Sequence, residues 1–302
     1  MDVTLLWIPA TLVAAAAQTA RNATQRSLTE RIGTVGATQV RFLYGFPFSL
    51  AFLALMRLAT GEAVPGPDPG FLAFILLGAA AQILATALML AAMRERSFSV
   101  VTATIKTEPV QVALFGLVLL GDPVTLPIAL AIAIATTGVV LMSVKPGGSD
   151  LATAAGWRPV GLGIVAGAFF ALAAIGFRGA IQSLDHGSFL IRATTTLAWG
   201  LGAQTLILVA WLGLFDRAAL LGSFRVWRPS LGAGFLGALA SQFWFIGFAL
   251  TTAANVRTLA LVEVLMAQAV SHRLLSQNTT RREILGLVLI VGGVALLLAV
   301  QR

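Results

Sequence analysis

Long apolar stretches recur along this chain, and they decide what it can fold into. Windows of about 18 or more apolar residues are long enough to cross a bilayer as a helix. Only helices and closed barrels satisfy the backbone in lipid, and runs this continuous are typical of helices. We therefore predict an all-α membrane protein with ten transmembrane helices, at residues 3–20, 36–56, 70–93, 98–120, 124–144, 159–181, 188–212, 229–250, 253–275 and 284–300.

The charge content excludes several other classes of protein. Only 11% of the 302 residues are charged, against about 25% in soluble domains, so the chain cannot cover a water-facing surface. The net charge of +8 comes without a basic cluster interleaved with aromatic residues, which argues against nucleic acid as a partner. There is no cysteine, no cluster with metal-ligand spacing and no phosphate-binding loop. We predict no enzyme activity, no cofactor and no metal site.

The chain repeats itself at an offset of about 155 residues. Segment 78–82, "GAAAQ", resembles 237–242, "GALASQ", and segment 106–111, "KTEPVQ", falls on 261–266, "LVEVLM". Each match is weak alone, but the matches keep their order along both halves. Each half therefore holds five predicted helices, and an odd number forces the second half to cross the membrane in the opposite sense.

This pattern predicts two inverted five-helix repeats. The first repeat covers residues 1–146 and the second covers residues 159–302, with a linker at 147–158 that contains Gly, Ser and Pro. Many secondary transporters are built from inverted repeats and bind substrate near the bilayer midplane between them.

The segment "KTEPVQ" places charged residues inside an apolar run. A carboxylate at mid-bilayer costs about 2.5 kcal/mol or more on insertion scales, so Glu108 should face protein or a wet cavity. Its repeat counterpart is Glu263. We predict that both bind a cationic group or take up a proton; the alternative is a structural glutamate paired with an arginine or a helix end. Lys106 is predicted to bind a substrate carboxylate, with snorkelling or helix pairing as alternatives. Pro109 should kink the helix.

A second group of polar and aromatic residues lies on the third predicted helix of each half. Gln82 and Gln242 are repeat counterparts, and an amide both donates and accepts, which suits a polar substrate. Interhelical hydrogen bonding is the alternative. Phe243 and Trp244 follow Gln242 directly and are predicted to form a pocket wall, although aromatic residues in membrane helices also serve as packing and anchors.

Three motifs identify a resemblance to a known family. They are "VRFLYGF" early in the second predicted helix, "EPVQVALFGLVLLGD" leading out of the fourth, and "TGVVLMS" at the end of the first half. With these motifs the chain resembles the EamA branch of the drug/metabolite transporter superfamily over essentially its whole length. The second half departs from the pattern, because Ser276 and Gln277 stand where the first half has Gly121 and Asp122.

The resemblance implies a secondary transporter or facilitator that moves small metabolites by alternating access. The similar YddG-type proteins export amino acids, so amino-acid export is the predicted activity, with a bacterial-type inner (plasma) membrane as the location. The expected partners are a small-molecule substrate and the lipid bilayer, with a monomer as the working unit. The alternatives are export or import of another small solute (sugar, amine or drug), a passive channel, or a non-transport scaffold.

Two arguments disagree about the orientation of the chain. Thirteen Lys or Arg residues fall on the side shared by the loops after the odd-numbered predicted helices, whereas Arg57 and Arg302 lie opposite and Arg178, Arg192 and Arg257 lean toward them. Basic loops favour the cytoplasm, so this count places both termini outside. The resemblance implies cytoplasmic termini, and both orientations stay open.

Overall fold

The computed structural model describes residues 3–95, 101, 104–143, 158–265 and 280–301. These ranges contain helices, turns and extended connections but no strand. A short 3-10 helix at Val3–Leu6 precedes the first α-helix. The α-helices of the described ranges are α1 (Trp7–Thr60), α2 (Pro69–Glu95), α3 (Glu108–Leu120), α4 (Leu126–Ser143), α5 (Arg158–Ser183), α6 (Phe189–Phe215), α7 (Arg217–Arg225), α8 (Trp227–Leu250), α9 (Ala253–Leu259) and α10 (Arg281–Val300).

Several of these helices have the length and composition of membrane spans. Two further apolar helices, Glu108–Leu120 and Leu126–Met142, are shorter. The predicted all-helical, multi-pass fold is therefore confirmed, while the count of ten spans stays a prediction. In the described part of the chain, six helical segments meet the length of a full crossing: Thr38–Thr60, Pro69–Met89, Val160–Ser183, Phe189–Phe215, Trp227–Leu250 and Arg281–Val300.

Helix α1 covers the first two predicted spans without a non-helical residue between them. Side chains near both ends of the interval between the predicted spans approach α8, because a methyl group on Gly237 would lie 3.5 Å from Arg21 Cδ and 3.4 Å from Arg41 Cγ.

The chain divides into two compact units that are not the two predicted repeats. Unit 1 consists of Met1–Ile83 and Gly176–Thr251, and unit 2 consists of Leu84–Ile175 and Thr252–Arg302. Subtracting the offset of about 155 from 176–251 gives 21–96, so unit 1 combines a segment of the first half with most of its counterpart. The predicted linker, apart from Arg158, lies outside the described residues, and the repeat boundaries stay a prediction.

Unit 1 is built around α8, which packs against α1 and α6. The approach of α8 to α1 is close: a methyl group on Gly234 would lie 2.6 Å from the carbonyl carbon of Tyr44. The Tyr44 hydroxyl donates a hydrogen bond to the Ser223 carbonyl at 3.2 Å, which ties α7 to α1. The largest fully buried side chains of this unit include Trp7, Phe42, Phe71 and Phe248.

In unit 2, α4 packs along α10 and α3 packs against α9. Glycines bring α4 and α10 into backbone contact. A methyl group on Gly138 would lie 2.6 Å from the Gly286 carbonyl oxygen, and one on Gly293 would lie 2.6 Å from the Ala135 nitrogen. Helices in lipid associate through such small-residue contacts, because there is no hydrophobic driving force between them.

The motif "LLGD" at 119–122, part of the family signature, is a helix stop. Gly121 has a φ of 68°, and this left-handed conformation costs other residues about 1–2 kcal/mol. The Gly121 and Asp122 N–H groups both donate to the Gly116 carbonyl, the latter at 3.0 Å, and these bonds close the end of the helix. A methyl group on Gly116 would lie 3.1 Å from Asp122 Oδ2, so the buried aspartate would have to shift to accept a larger residue there. The motif is therefore explained by its role in ending a helix, and it gives no information about the substrate.

Candidate functional site

The segment "KTEPVQ" interrupts a helix instead of bending one. Residues 106–107 form a turn between helical residues 104–105 and α3, which begins at Glu108. In this turn the Thr107 hydroxyl donates to the Thr104 carbonyl at 2.7 Å. Pro109 has no N–H, and its ring clashes with the carbonyl four residues earlier, so a helix accepts it readily only in the first turn. The predicted kink at Pro109 is thus a break that places Glu108 at a helix start.

The repeat counterpart of this segment is interrupted as well. Helix α9 ends at Leu259, a turn follows at Ala260 and Leu261, and residues 262–265 are helical again. The Glu263 N–H donates to the Ala260 carbonyl at 3.0 Å across the turn. Adding 155 to 106–107 gives 261–262, one residue from the turn observed. Each glutamate therefore lies directly after a break. Glu108 is the first residue of α3, and the N-terminal end of a helix favours a carboxylate.

Four charged side chains of unit 2 form two ion pairs, and we call them the charge cluster: Lys106, Glu108, Arg257 and Glu263. Lys106 Nζ pairs with Glu263 Oε1, and Arg257 Nε lies 3.2 Å from Glu108 Oε1. Each pair joins an acid after one break to a base beside the other. The four side chains are between 13% and 19% exposed, so they are largely shielded. The structure thus brings Lys106, Glu108 and Glu263 together, and it pairs each acid with a base, the alternative that the sequence left open.

Arg257 is the member of the charge cluster that the sequence reasoning missed. In the sequence, Arg257 contributes only to the count of basic residues that bears on membrane orientation. A signal was present, because Arg257 lies inside the predicted span 253–275, where an arginine needs an acidic or polar partner. The repeat did not point to it, since the offset of about 155 places Thr102 opposite Arg257.

The residues on both sides of the first break, Ile105 and Gln111, pack closely against α5. A methyl group on Gly167 would lie 3.2 Å from the Ile105 carbonyl oxygen and equally close to Gln111 Oε1. Gln111 Nε2 donates to the Ile164 carbonyl at 3.3 Å. The break is therefore held in place by a glycine face of α5. Ile105 itself belongs to an apolar cluster with Ala92, Val101 and Ala166, bordered by Leu88, Met89, Leu162 and Phe170.

Gln82 and Gln242 lie in unit 1, where both bond to α6. Gln204 Nε2 donates to Gln82 Oε1 at 2.6 Å, and Gln242 Nε2 donates to Thr194 Oγ1 at 2.9 Å. Thr194 and Gln204 stand ten residues apart on α6, or about 15 Å along its axis. The two amides thus contact α6 at different heights. These are interhelical hydrogen bonds, and the substrate role of the two glutamines stays a prediction.

The aromatic residues beside Gln242 also belong to unit 1. Trp244 is buried, and its indole N–H donates to Gln18 Oε1 at 3.3 Å, which joins α8 to α1. Phe245, the next residue, packs against Phe177 with ring centroids 4.7 Å apart. Phe243 is half-buried. These contacts give Trp244 a packing role, and a pocket wall formed by Phe243 and Trp244 stays a prediction.

Replacing Gln242 with leucine separates packing from substrate contact. Gln242 Oε1 is enclosed and accepts no hydrogen bond within the described ranges, which leaves an acceptor for a substrate donor. The Thr194 hydroxyl keeps its bond to the Leu190 carbonyl at 2.7 Å without the amide. We expect Gln242→Leu to lose no more than about 1.7 kcal/mol of stability but to lower transport beyond the loss of folded protein. Folded yield and transport are measured together, with the exposed Gln182→Leu as control; a fall in proportion to yield contradicts the prediction.

Within the described residues, no group of three His, Asp or Glu side chains forms a metal site.

Comparison with known proteins identifies the family. No curated protein matches the chain, whereas 28 chains of solved structures do. One crystal structure, whose description names no function, has a TM-score of 0.72, covers 100% of this chain and 98% of its own, and is 15% identical, which shows a shared fold. The family model described as the EamA-like transporter family matches residues 5–144 and 157–299, in both halves. The chain therefore belongs to the EamA-like transporter family, whose members are membrane transporters of small solutes rather than enzymes.

Proposed function

We propose that this protein is a secondary transporter that exports amino acids across a bacterial-type inner membrane. It works by alternating access between two inverted five-helix repeats. The observation that carries the proposal is the charge cluster at the two helix breaks of unit 2. Interrupted helices whose ends and freed backbone groups meet the substrate recur in secondary transporters.

The composition of the charge cluster favours an amino acid over other small solutes. Its two acids and two bases sum to zero charge, and an amino acid at neutral pH carries one ammonium and one carboxylate group. Each end of such a substrate meets its opposite charge, and no net charge enters the membrane. A simple amine would be matched by a net negative site, and a sugar would need hydrogen-bonding groups without charges.

The charge cluster also supports a transport function and a monomer as the functional unit. Charged side chains inside a membrane protein are expensive and usually mark a pathway for substrate or ions. All four members come from one unit of one chain, so a monomer contains the complete site. A scaffold would gain nothing from charges at interrupted helices.

Counterflow in liposomes tests the proposal. Purified protein is reconstituted into vesicles loaded with an unlabelled amino acid, and uptake of the labelled form is followed. We expect a transient accumulation driven by exchange, which only a carrier produces; a channel releases the solute, and a scaffold does neither. A panel of sugars and amines serves as control. Exchange of a sugar or amine without exchange of any amino acid would overturn the substrate class.

A further inference from the structure

The two ion pairs of the charge cluster have different chemistry. Arg257 presents a planar guanidinium group that can hold a carboxylate through two parallel hydrogen bonds, whereas Lys106 presents a compact, point-like ammonium group. The Arg257–Glu108 contact of 3.2 Å is ionic. Glu108 Oε1 is enclosed, yet it completes no hydrogen bond with the described part of the chain. This pair therefore leaves an acceptor with unused capacity inside a shielded site.

We propose, on the basis of the transport function above, that Arg257 and Glu108 are the receptor for the two charged ends of a zwitterion. The substrate carboxylate binds the guanidinium group of Arg257, and the substrate ammonium group binds the Glu108 carboxylate. One ion pair is thus replaced by two, and every charge keeps a partner. The Lys106–Glu263 pair stays closed and holds the two interrupted segments together.

The repeat explains why only one of the pairs is the receptor. The acids follow the repeat, because Glu108 and Glu263 are counterparts, but the bases do not. The offset of about 155 places Leu261 opposite Lys106 and Thr102 opposite Arg257. The charge cluster of the described residues therefore contains one guanidinium group, so the site takes one carboxylate and holds the substrate in one orientation.

The shielding of the charge cluster guides the choice of probe. Its four side chains are between 13% and 19% exposed, and they already form two ion pairs. A substrate with a charged side chain would bring a further charge that needs a further partner, whereas an apolar side chain would not. Leucine is therefore a suitable probe.

The first test needs only the wild-type protein. Leucine, leucine methyl ester (ammonium only) and N-acetylleucine (carboxylate only) compete against labelled leucine in counterflow. Hydrogen bonds to charged groups contribute about 1.5–3 kcal/mol, so each derivative is expected to compete at least about tenfold more weakly than leucine. Equal competition by all three compounds would overturn the receptor.

The second test compares two double variants that each remove one ion pair. Removing both partners leaves no uncompensated charge, so both proteins are expected to fold. In Arg257→Gln/Glu108→Gln, leucine should raise the thermal stability in detergent no more than its two derivatives do, because both charged contacts to the zwitterion are gone. In the control Lys106→Gln/Glu263→Gln, the preference for leucine should persist. Loss of the preference in both variants, or only in the control, would contradict the assignment of the two pairs.

These outcomes separate the receptor from the transport function. If the variant without the Arg257–Glu108 pair exchanges leucine as the wild type does, the receptor is refuted but the transport function is not. Exchange of other solutes without any amino acid would refute the proposed function, and the receptor with it. Leucine-induced thermal stabilisation, measured in detergent on the same variants, gives a readout of binding that does not depend on transport.

Discussion

Replacing Arg257 with leucine is expected to abolish transport and to destabilise the fold by about 3–5 kcal/mol, the usual effect of breaking a shielded ion pair from one side. The reason is that Glu108 loses the base that lies 3.2 Å from its carboxylate, while Lys106 is engaged by Glu263. A carboxylate without a partner between membrane helices favours opening of the site to water. The loss is measured as folded yield and thermal stability by size-exclusion chromatography in detergent, with counterflow for transport.

Two controls separate the missing charge from the missing arginine. Replacing both Arg257 and Glu108 with leucine should restore the folded yield, because apolar substitutes for a complete buried pair are often neutral or stabilising. Transport should remain absent in that variant. Arg225 is exposed on α7, and Arg225→Leu should leave both measurements unchanged. A stable Arg257→Leu protein would show that the pair does not support the fold.

The fold class could be predicted from the sequence, because apolar runs of this length and continuity are typical of membrane-spanning helices. The glutamates Glu108 and Glu263 followed as well, since a mid-span acid stands out and the repeat doubled the signal. Arg257 did not, because its partner Glu108 is 149 residues away and no periodicity links them. An internal repeat finds residues that are alike, whereas an ion pair joins residues that are unlike.

The helix breaks show a similar limit. Pro109 indicated the first break, although the sequence predicted a kink at this position and not an interruption of the helix. The second has no such mark, because Val264 occupies the position equivalent to Pro109 and neither Ala260 nor Leu261 is a residue typical of turns.

Replacing Gly293 with valine is expected to damage the packing of unit 2 severely. The added Cβ would lie 2.6 Å from the Ala135 nitrogen and 2.7 Å from the Ala131 carbonyl oxygen. Both neighbours are backbone atoms of α4, so no side chain can rotate away and the two helices must separate. Overpacking of this kind costs about 3 kcal/mol at the upper end of its usual range. We expect a sharp loss of folded protein and, with it, of transport.

The neighbouring Gly292 supplies the matched control for this prediction. A methyl group there meets no atom within 4 Å, although both glycines lie inside α10 and lose the same backbone freedom on substitution. Gly292→Val should therefore fold as well as the wild type, and thermal stability of the two variants is compared in one detergent. Equal stability would mean that α4 and α10 are not in backbone contact. A difference confined to Gly293 would show that the glycine face, and not helix propensity, holds the two helices together.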